Sequence, residues 1–428
     1  MDKDNVLQKP LNRRDFLKKS ASTVAGAMVS VNAPFVHAKG KVMLRVLGTH
    51  VTLQEVLRKR AEKELGIRLV FEPRGEAEIL ERGRNNPGSF DLYEHWSDAI
   101  RVLWKAKSIQ PISTKKLRYW DQVNNLTKTG KITPDAKIGM GDAPVRITHV
   151  RADGSLGSRE TGNISFMPYV HNVDSFGYNT KVIPRGEAYK TESWGWLLDE
   201  KYKGKVMLVN APTIGVFDAA LAARAKGLIT FRDMGNMSRE EIDKLFAILI
   251  RKKKEGHFSG FWSSVPESAE LFKNGEAVIG SMFSPAVATL NGQGMSVVYA
   301  APKEGYRAWH GIMCLSAMTK GRTLDAAYEY MNWWLSGWPG AFISRQGYYI
   351  SNPSNSKEYM SEAEWDYWYA GKPAAEDLRG TDGNISVRSG DIRNGGSYEK
   401  RLSNVYVWNT VMSEYDYTVQ RWNEFLFA

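Results

Sequence analysis

Residues whose types could carry out covalent or metal chemistry are few in this chain, and they are widely spaced. His50, His95 and His310 would suit a metal, but they lie in three distant stretches with no His-x-x-x-His or cysteine-rich spacing. They read as hydrogen-bonding side chains instead. The single cysteine, Cys314, sits in the apolar run Ile312-Met313-Cys314-Leu315, which predicts a buried, inert thiol. One cysteine also excludes an intramolecular disulfide. The sequence has no phosphate-cradling loop, no Gly-x-Gly-x-x-Gly, no His-Glu-x-x-His and no Gly-x-Ser-x-Gly, so it gives no ground for expecting a cofactor or a catalytic centre. What it offers is a series of polar loops at the ends of predicted strands: Gly48-Thr49-His50, Glu94-His95-Trp96-Ser97 and Asn210-Ala211-Pro212-Thr213-Ile214-Gly215.

The elements that must position these loops alternate between strand and helix. Residues 42–47 predict a strand, 52–65 a helix with Thr52 and Glu55 as a capping box and Gly66 as its stop, and 67–71 a second strand. A short helix over 77–82, a strand over 90–93, the loop 94–97 and a helix over 98–107 continue the pattern. This is the start of a parallel α/β sheet, in which ligands bind at the carboxyl ends of strands. Residues 137–163 lack periodicity and read as a surface excursion, after which 166–170 form a strand leading to a second lobe. That lobe is predicted to hold a helical segment at 194–198, strands at 205–209 and 277–282, a small-residue helix at 216–226 and a helix at 267–273. The hexapeptide Lys-Gly-Lys-Val-Met-Leu opens both sheets, at 39–44 and 203–208. Farther on come a helix over 326–335, a loop-like stretch over 376–398 and a helical, aromatic-rich end over 406–427.

Arg13-Arg14-Asp15-Phe16-Leu17-Lys18, a weakly apolar run over 21–31 and Val36-His37-Ala38 give the order basic, apolar, small-residue cleavage site. The arrangement resembles a twin-arginine (Tat) signal, with Asn12 where Ser or Thr is commoner. The apolar run falls short of the roughly 20 residues that span a bilayer. Residues 1–38 are therefore expected to be a removable signal and the remainder a periplasmic protein of 390 residues, long enough for two cores. The net charge is +11, of which the signal carries +3 and the remainder +8. The longest basic run outside the signal, Arg251-Lys252-Lys253-Lys254, follows Phe246, Ile248 and Leu249 and reads as the charged end of an amphipathic helix. No nucleic-acid partner is expected.

An ordered set of motifs then resembles a known family. It comprises Ser89-Phe90-Asp91-Leu92-Tyr93, Ile109-Gln110-Pro111-Ile112, Pro168-Tyr169 before Gly177-Tyr178-Asn179-Thr180, and Ser193-Trp194 through Tyr202-Lys203-Gly204-Lys205-Val206. It continues with Phe272-Lys273-Asn274-Gly275-Glu276-Ala277, Ala301-Pro302-Lys303-Glu304-Gly305, Ala326-Ala327-Tyr328-Glu329-Tyr330-Met331-Asn332, and Gly347-Tyr348 before Asn352-Pro353. The sequence resembles type-2 periplasmic solute-binding proteins of ABC importers, in the branch of the spermidine/putrescine-binding proteins. The resemblance implies a two-lobed α/β fold with a hinge and an interlobe cleft. Lobe one would take residues 39–172 and about 285–345, lobe two 173–284, and residues 346–428 would form a helical segment packing on the lobes. The hinge is expected near Tyr169 and Phe283.

The resemblance further implies a monomer that captures a small molecule by lobe closure and delivers it to permease subunits in the inner membrane. It places ligand contacts at Thr49, His50, Glu94, His95, Trp96, Ser97, Tyr169, Thr213, Ile214, Phe283, Ser284, Trp309, His310 and Tyr348. Polyamine binders put carboxylates in several of these loops, whereas this chain has Ser284-Pro285-Ala286 in one of them and Glu94 as the one acid in the set. A single glutamate cannot compensate two desolvated ammonium ends, which favours a small amine-bearing or zwitterionic solute. A Tat-exported enzyme and a ligand-sensing partner of a membrane receptor are the competing readings.

Overall fold

The computed structural model describes residues 40–428; the expected signal lies outside them. Parallel strands β1 (Met43–Gly48), β2 (Arg68–Pro73) and β3 (Leu92–Trp96) form one half of the sheet. Helices α1 (Glu55–Leu65), α2 (Glu76–Asn85) and α3 (Ile100–Lys105) accompany them. This is the strand and helix alternation that the sequence predicts, with Gly66 closing α1 at φ 67°. The capping box does not form. Gln54 is the residue before α1, and the Thr52 hydroxyl is turned into the protein, toward Glu94. The run 94–96, expected as loop, continues strand β3.

The second half is built from β5 (Val206–Val209), β6 (Phe258–Trp262) and β7 (Ile279–Met282), again parallel to one another. Helices α4 (Gly215–Ala225), α5 (Arg239–Lys254) and α6 (Val265–Lys273) belong to it. The basic run ends α5 as expected, where cations suit the helix C-terminus; Lys252 pairs with Glu200. Two long strands tie the halves together. These are β4 (Met167–Asn179) and β9 (Tyr306–Ser316), with the short strand β8 (Val297–Tyr299) paired to β4. The sheet runs β6-β5-β7-β4-β9-β3-β1-β2.

Register locates the crossing. Residues 167–174 of β4 pair with β9, and residues 175–178 pair with β7. The strand therefore passes from one ladder to the other between Asp174 and Ser175. That point is five residues beyond Tyr169 and opposite Met282, the neighbour of Phe283. Separate apolar clusters serve the two halves: Leu44, Leu57, Met313 and Trp334 in the first, Phe176, Val216, Phe246 and Trp422 in the second.

Helix α7 (Ser284–Gly292) follows β7, and α8 (Gly321–Leu335) covers the first half with the apolar face that the sequence predicts. The end of the chain departs from expectation. Residues 405–408 form strand β10 (Val405–Trp408) beside β9, and only then does helix α9 (Tyr415–Phe427) begin. Alternation of Val405 and Val407 with Tyr406 gives a two-residue period that a helix reading ignores. Helix α9 packs Trp422 against Gly215, where a Cβ would fall 2.4 Å from the indole ring. The predicted loop 376–398 also contains a small hairpin, Leu378–Arg379 with Ile385–Val387.

Candidate functional site

Three aromatic side chains from distant parts of the sequence meet at the carboxyl end of β3. The Trp96 and Trp309 ring centroids lie 4.5 Å apart, and Tyr348 stands edge-on to Trp309 at 5.6 Å. Strand periodicity explains the selection, because successive residues point to opposite faces. Trp309 joins the trio. Its neighbour His310 faces the other way, stacked on His171 at 4.9 Å, with a ring nitrogen 2.9 Å from the Gly311 carbonyl. Burial pushes His310 down to about 4, so it stays neutral and serves packing.

Glu94 shares the face of Trp96 but lies deeper, fully buried. The Thr52 hydroxyl donates to its Oε2 at 2.7 Å, and the Tyr169 hydroxyl stands 3.2 Å from the same oxygen. Oε1 has no partner among the described residues. Burial raises this carboxyl to about 7, with the Thr52 and Tyr169 hydroxyls pulling the other way. Gly48 permits the packing, since a Cβ there would sit 2.8 Å from the Glu94 Cβ.

At the crossing of the halves, Arg307 of β9 is fully buried among acids. Its Nε lies 2.6 Å from Asp218 on α4 and its Nη1 3.3 Å from Asp174 on β4, while Nη1 also donates to Asn409 at 3.2 Å. Nη2 has no partner among the described residues. The Tyr299 hydroxyl lies 3.2 Å from Asp174. Burial raises both carboxyls, Asp218 to about 6, and the Arg307 charge opposes the rise in each. One guanidinium thus joins the shared strand, the second half and the aromatic trio, because the Trp309 indole also hydrogen-bonds Asp174.

A third group lies beyond β3 in the first half. Asp98 follows β3, buried, with Oδ1 lacking a hydrogen-bond partner among the described residues and 4.0 Å from the His95 Nδ1. Burial lifts Asp98 well above the usual range, and the charges of Glu76 and Asp142 add to that. Burial lowers His95 to about 3, which keeps its imidazole uncharged, and both its nitrogens lack a hydrogen-bond partner among the described residues. Glu76, at the start of α2, accepts a hydrogen bond from Thr213 at the entrance to α4. That bond runs from one half to the other.

The structure therefore gathers Trp96, Trp309 and Tyr348, sets Glu94 against Tyr169, and places His95 and Ser97 next to Asp98. Thr213 bonds Glu76 across the halves, and Ile214 packs in the second half's core. Phe283 stands against Trp262 at 5.0 Å, and Ser284 opens α7. Thr49 turns its carbonyl to Leu53, and His50 is exposed. Glu76, Asp98, Asp174, Asp218 and Arg307 are absent from the sequence-derived set. Each did leave a trace: Asp218 is a single charge inside an apolar run, and Asp174 and Arg307 are single charges inside strand-forming stretches, where charges are almost never buried without partners. Glu76 and Asp98 follow strands at their carboxyl ends.

A family model, bacterial extracellular solute-binding protein, matches residues 82–372. The chain belongs to this family. The solute-binding chain also has the fold of solved structures at low identity. One is the PotD substrate-binding protein of a spermidine/putrescine ABC transporter from Streptococcus pneumoniae, at 13% identity and a TM-score of 0.59, covering 90% of this chain and 99% of that one. The TpPotD lipoprotein of Treponema pallidum gives 13% and 0.58, covering 90% and 100%. The binding protein AgtB from A. tumefaciens R10, in complex with agropinic acid, gives 14% and 0.55, covering 91% and 100%. The search of curated proteins finds no match. The two-lobed α/β architecture expected from the sequence is the architecture observed.

Proposed function

We propose that this solute-binding protein serves an ABC importer in the periplasm, exported there by the Tat pathway, and that it captures a small amine-bearing organic solute between its lobes. The observation that carries the reading is an aromatic trio hydrogen-bonded through Trp309 to the buried Asp174, where strand β4 passes from one half of the sheet to the other. Aromatic faces attract ammonium groups by about 0.5 to 2 kcal/mol each when water is excluded. Glu76, Asp98 and Asp174 add to Glu94 carboxyl groups whose charge an incoming ammonium would stabilise. The unpaired Nη2 of Arg307 supports a solute that also carries a carboxylate, in keeping with a zwitterion.

Trp309 touches both Trp96 and Tyr348, and the Thr213–Glu76 bond spans the halves. Entry requires the lobes to part about Asp174–Ser175, and a ligand held by both walls favours the shut state. In this reading lobe one comprises 39–172 and about 285–345, lobe two 173–284, with 346–428 packed on them. The closed monomer's outer surface then meets the permease.

The test is calorimetry of the purified protein with putrescine, spermidine and GABA, alongside X-ray scattering. Binding of one of these with a smaller radius of gyration supports the reading. A rigid particle that binds none, and from which denaturing mass spectrometry releases no amine, would overturn it.

A further inference from the structure

Helix α7, strand β8 and residues 367–401 enclose a cavity of about 460 Å³, within the range of roughly 300 to 1,000 Å³ typical of small-molecule sites. Its walls include the apolar side chains of Val287, Val298 and Trp368. Its charges are Arg185, Arg388, Arg393 and Arg401, against one carboxylate, Asp391. Asp391 is exposed and accepts the Arg388 backbone N–H.

Two of these arginines are buried without a counter-charge. Arg401 is 1% exposed. Its Nη1 donates to the Asn394 carbonyl at 2.7 Å, and the Tyr306 and Tyr299 rings lie 5.1 and 5.9 Å from its guanidinium carbon. Its Nε and Nη2 have no partner among the described residues. Arg393 is 7% exposed, donates to the carbonyls of Trp368 and Gly347, and lies over the Tyr349 and Trp368 rings. Burial and the like charge of Arg401 lower its pKa. Ring and carbonyl contacts suffice for Arg393. They leave half of the Arg401 fork unused, and a desolvated guanidinium is held in place by carboxylates or phosphates that match its donors.

We propose that this cavity is a second ligand site, beside the aromatic cleft and divided from Asp174 by Tyr299, which takes a small anion bearing a carboxylate or phosphate group through the Nε and Nη2 of Arg401. Arg388 and Arg185 at its rim draw such anions in, and Val298 and Trp368 pack against an organic portion.

The experiment uses the full chain and measures melting temperature and calorimetric affinity with phosphate, succinate and chloride at equal ionic strength. Phosphate or succinate is expected to raise the melting temperature where chloride does not. Phosphate alone identifies an inorganic oxyanion, succinate alone an organic acid. Arg401→Met and Ala288→Trp, which fills the cavity from α7, should each weaken binding at least tenfold, while Trp96→Ala leaves it unchanged. Should Arg401→Met fail to fold, Ala288→Trp decides. Equal responses to all three anions, or binding that survives the variants, would overturn the proposal.

Discussion

The cleft and the cavity under α7 bury opposite charges and relieve them by opposite means. In the cleft, acids outnumber Arg307, and burial lifts Glu94 to about 7, Asp218 to about 6 and Asp98 well above its ordinary value, so protons can stand in for a missing cation. Arg393 and Arg401 have no such recourse, because a guanidinium keeps its proton at any physiological pH. An acidic site can wait empty by neutralising itself. A basic one must find rings, carbonyls or an anion.

The comparison breaks most visibly at its two central arginines. Arg307→Met strands Asp174 and Asp218 as buried charges and should lower stability by about 3 to 5 kcal/mol in chemical denaturation. Adding Asp218→Asn should recover part of that loss. Arg401→Met removes no partner from any carboxylate and should change stability by less than about 1 kcal/mol without added anion. Equal losses in the two variants would dissolve the distinction.

Glu94→Gln tests the proton half. A carboxyl raised to about 7 in the folded state, from an ordinary value of 4.5, binds more protons folded than unfolded between those limits. Its contribution to stability is therefore complete below 4.5 and is lost as the pH climbs through about 7. Relative to Glu94→Gln, the wild type should lose roughly 3 kcal/mol between pH 4.5 and 8. His95 and His310, whose values are lowered, act in the opposite sense in both proteins, so the difference between the two denaturation curves isolates Glu94.

Smaller effects follow for the ligand itself. Trp96→Ala should weaken an amine ligand about threefold to thirtyfold, as expected for one lost ring contact. If the ligand's ammonium replaces the proton on Glu94, raised to about 7, binding releases that proton. Calorimetric enthalpies at pH 6 to 7 should then vary with the ionisation enthalpy of the buffer, and Glu94→Gln should abolish the variation. Arg388→Ala, an exposed rim residue, should change stability by no more than about 0.5 kcal/mol.

Much of the scaffold was legible from periodicity and stops: the β1-α1-β2 unit, the basic end of α5 and the apolar face of α8 all stand where the residues point. Loop position singled out Trp96, Glu94 and Thr213, and family resemblance singled out Trp309 and Tyr348, and the fold brings the aromatic members of the two sets together. What escaped has physical causes. Thr52 looks like a helix cap by spacing, but a buried carboxylate offers its hydroxyl a stronger acceptor. His310 was grouped with Trp309 as though neighbours share a face, which a strand forbids. Asp174, Asp218 and Arg307 compensate one another across 133 residues of sequence, and no local pattern announces such a pairing.

The seat of Trp422 against Gly215 sets an order of events during synthesis. The indole is fully enclosed with Val216 and Phe246, so a surface laid down by α4 waits for a segment made much later in the chain. A nascent polypeptide halted before Tyr415 would hold an open seam along α4 and α5, and the second half can close that seam only once α9 has been made.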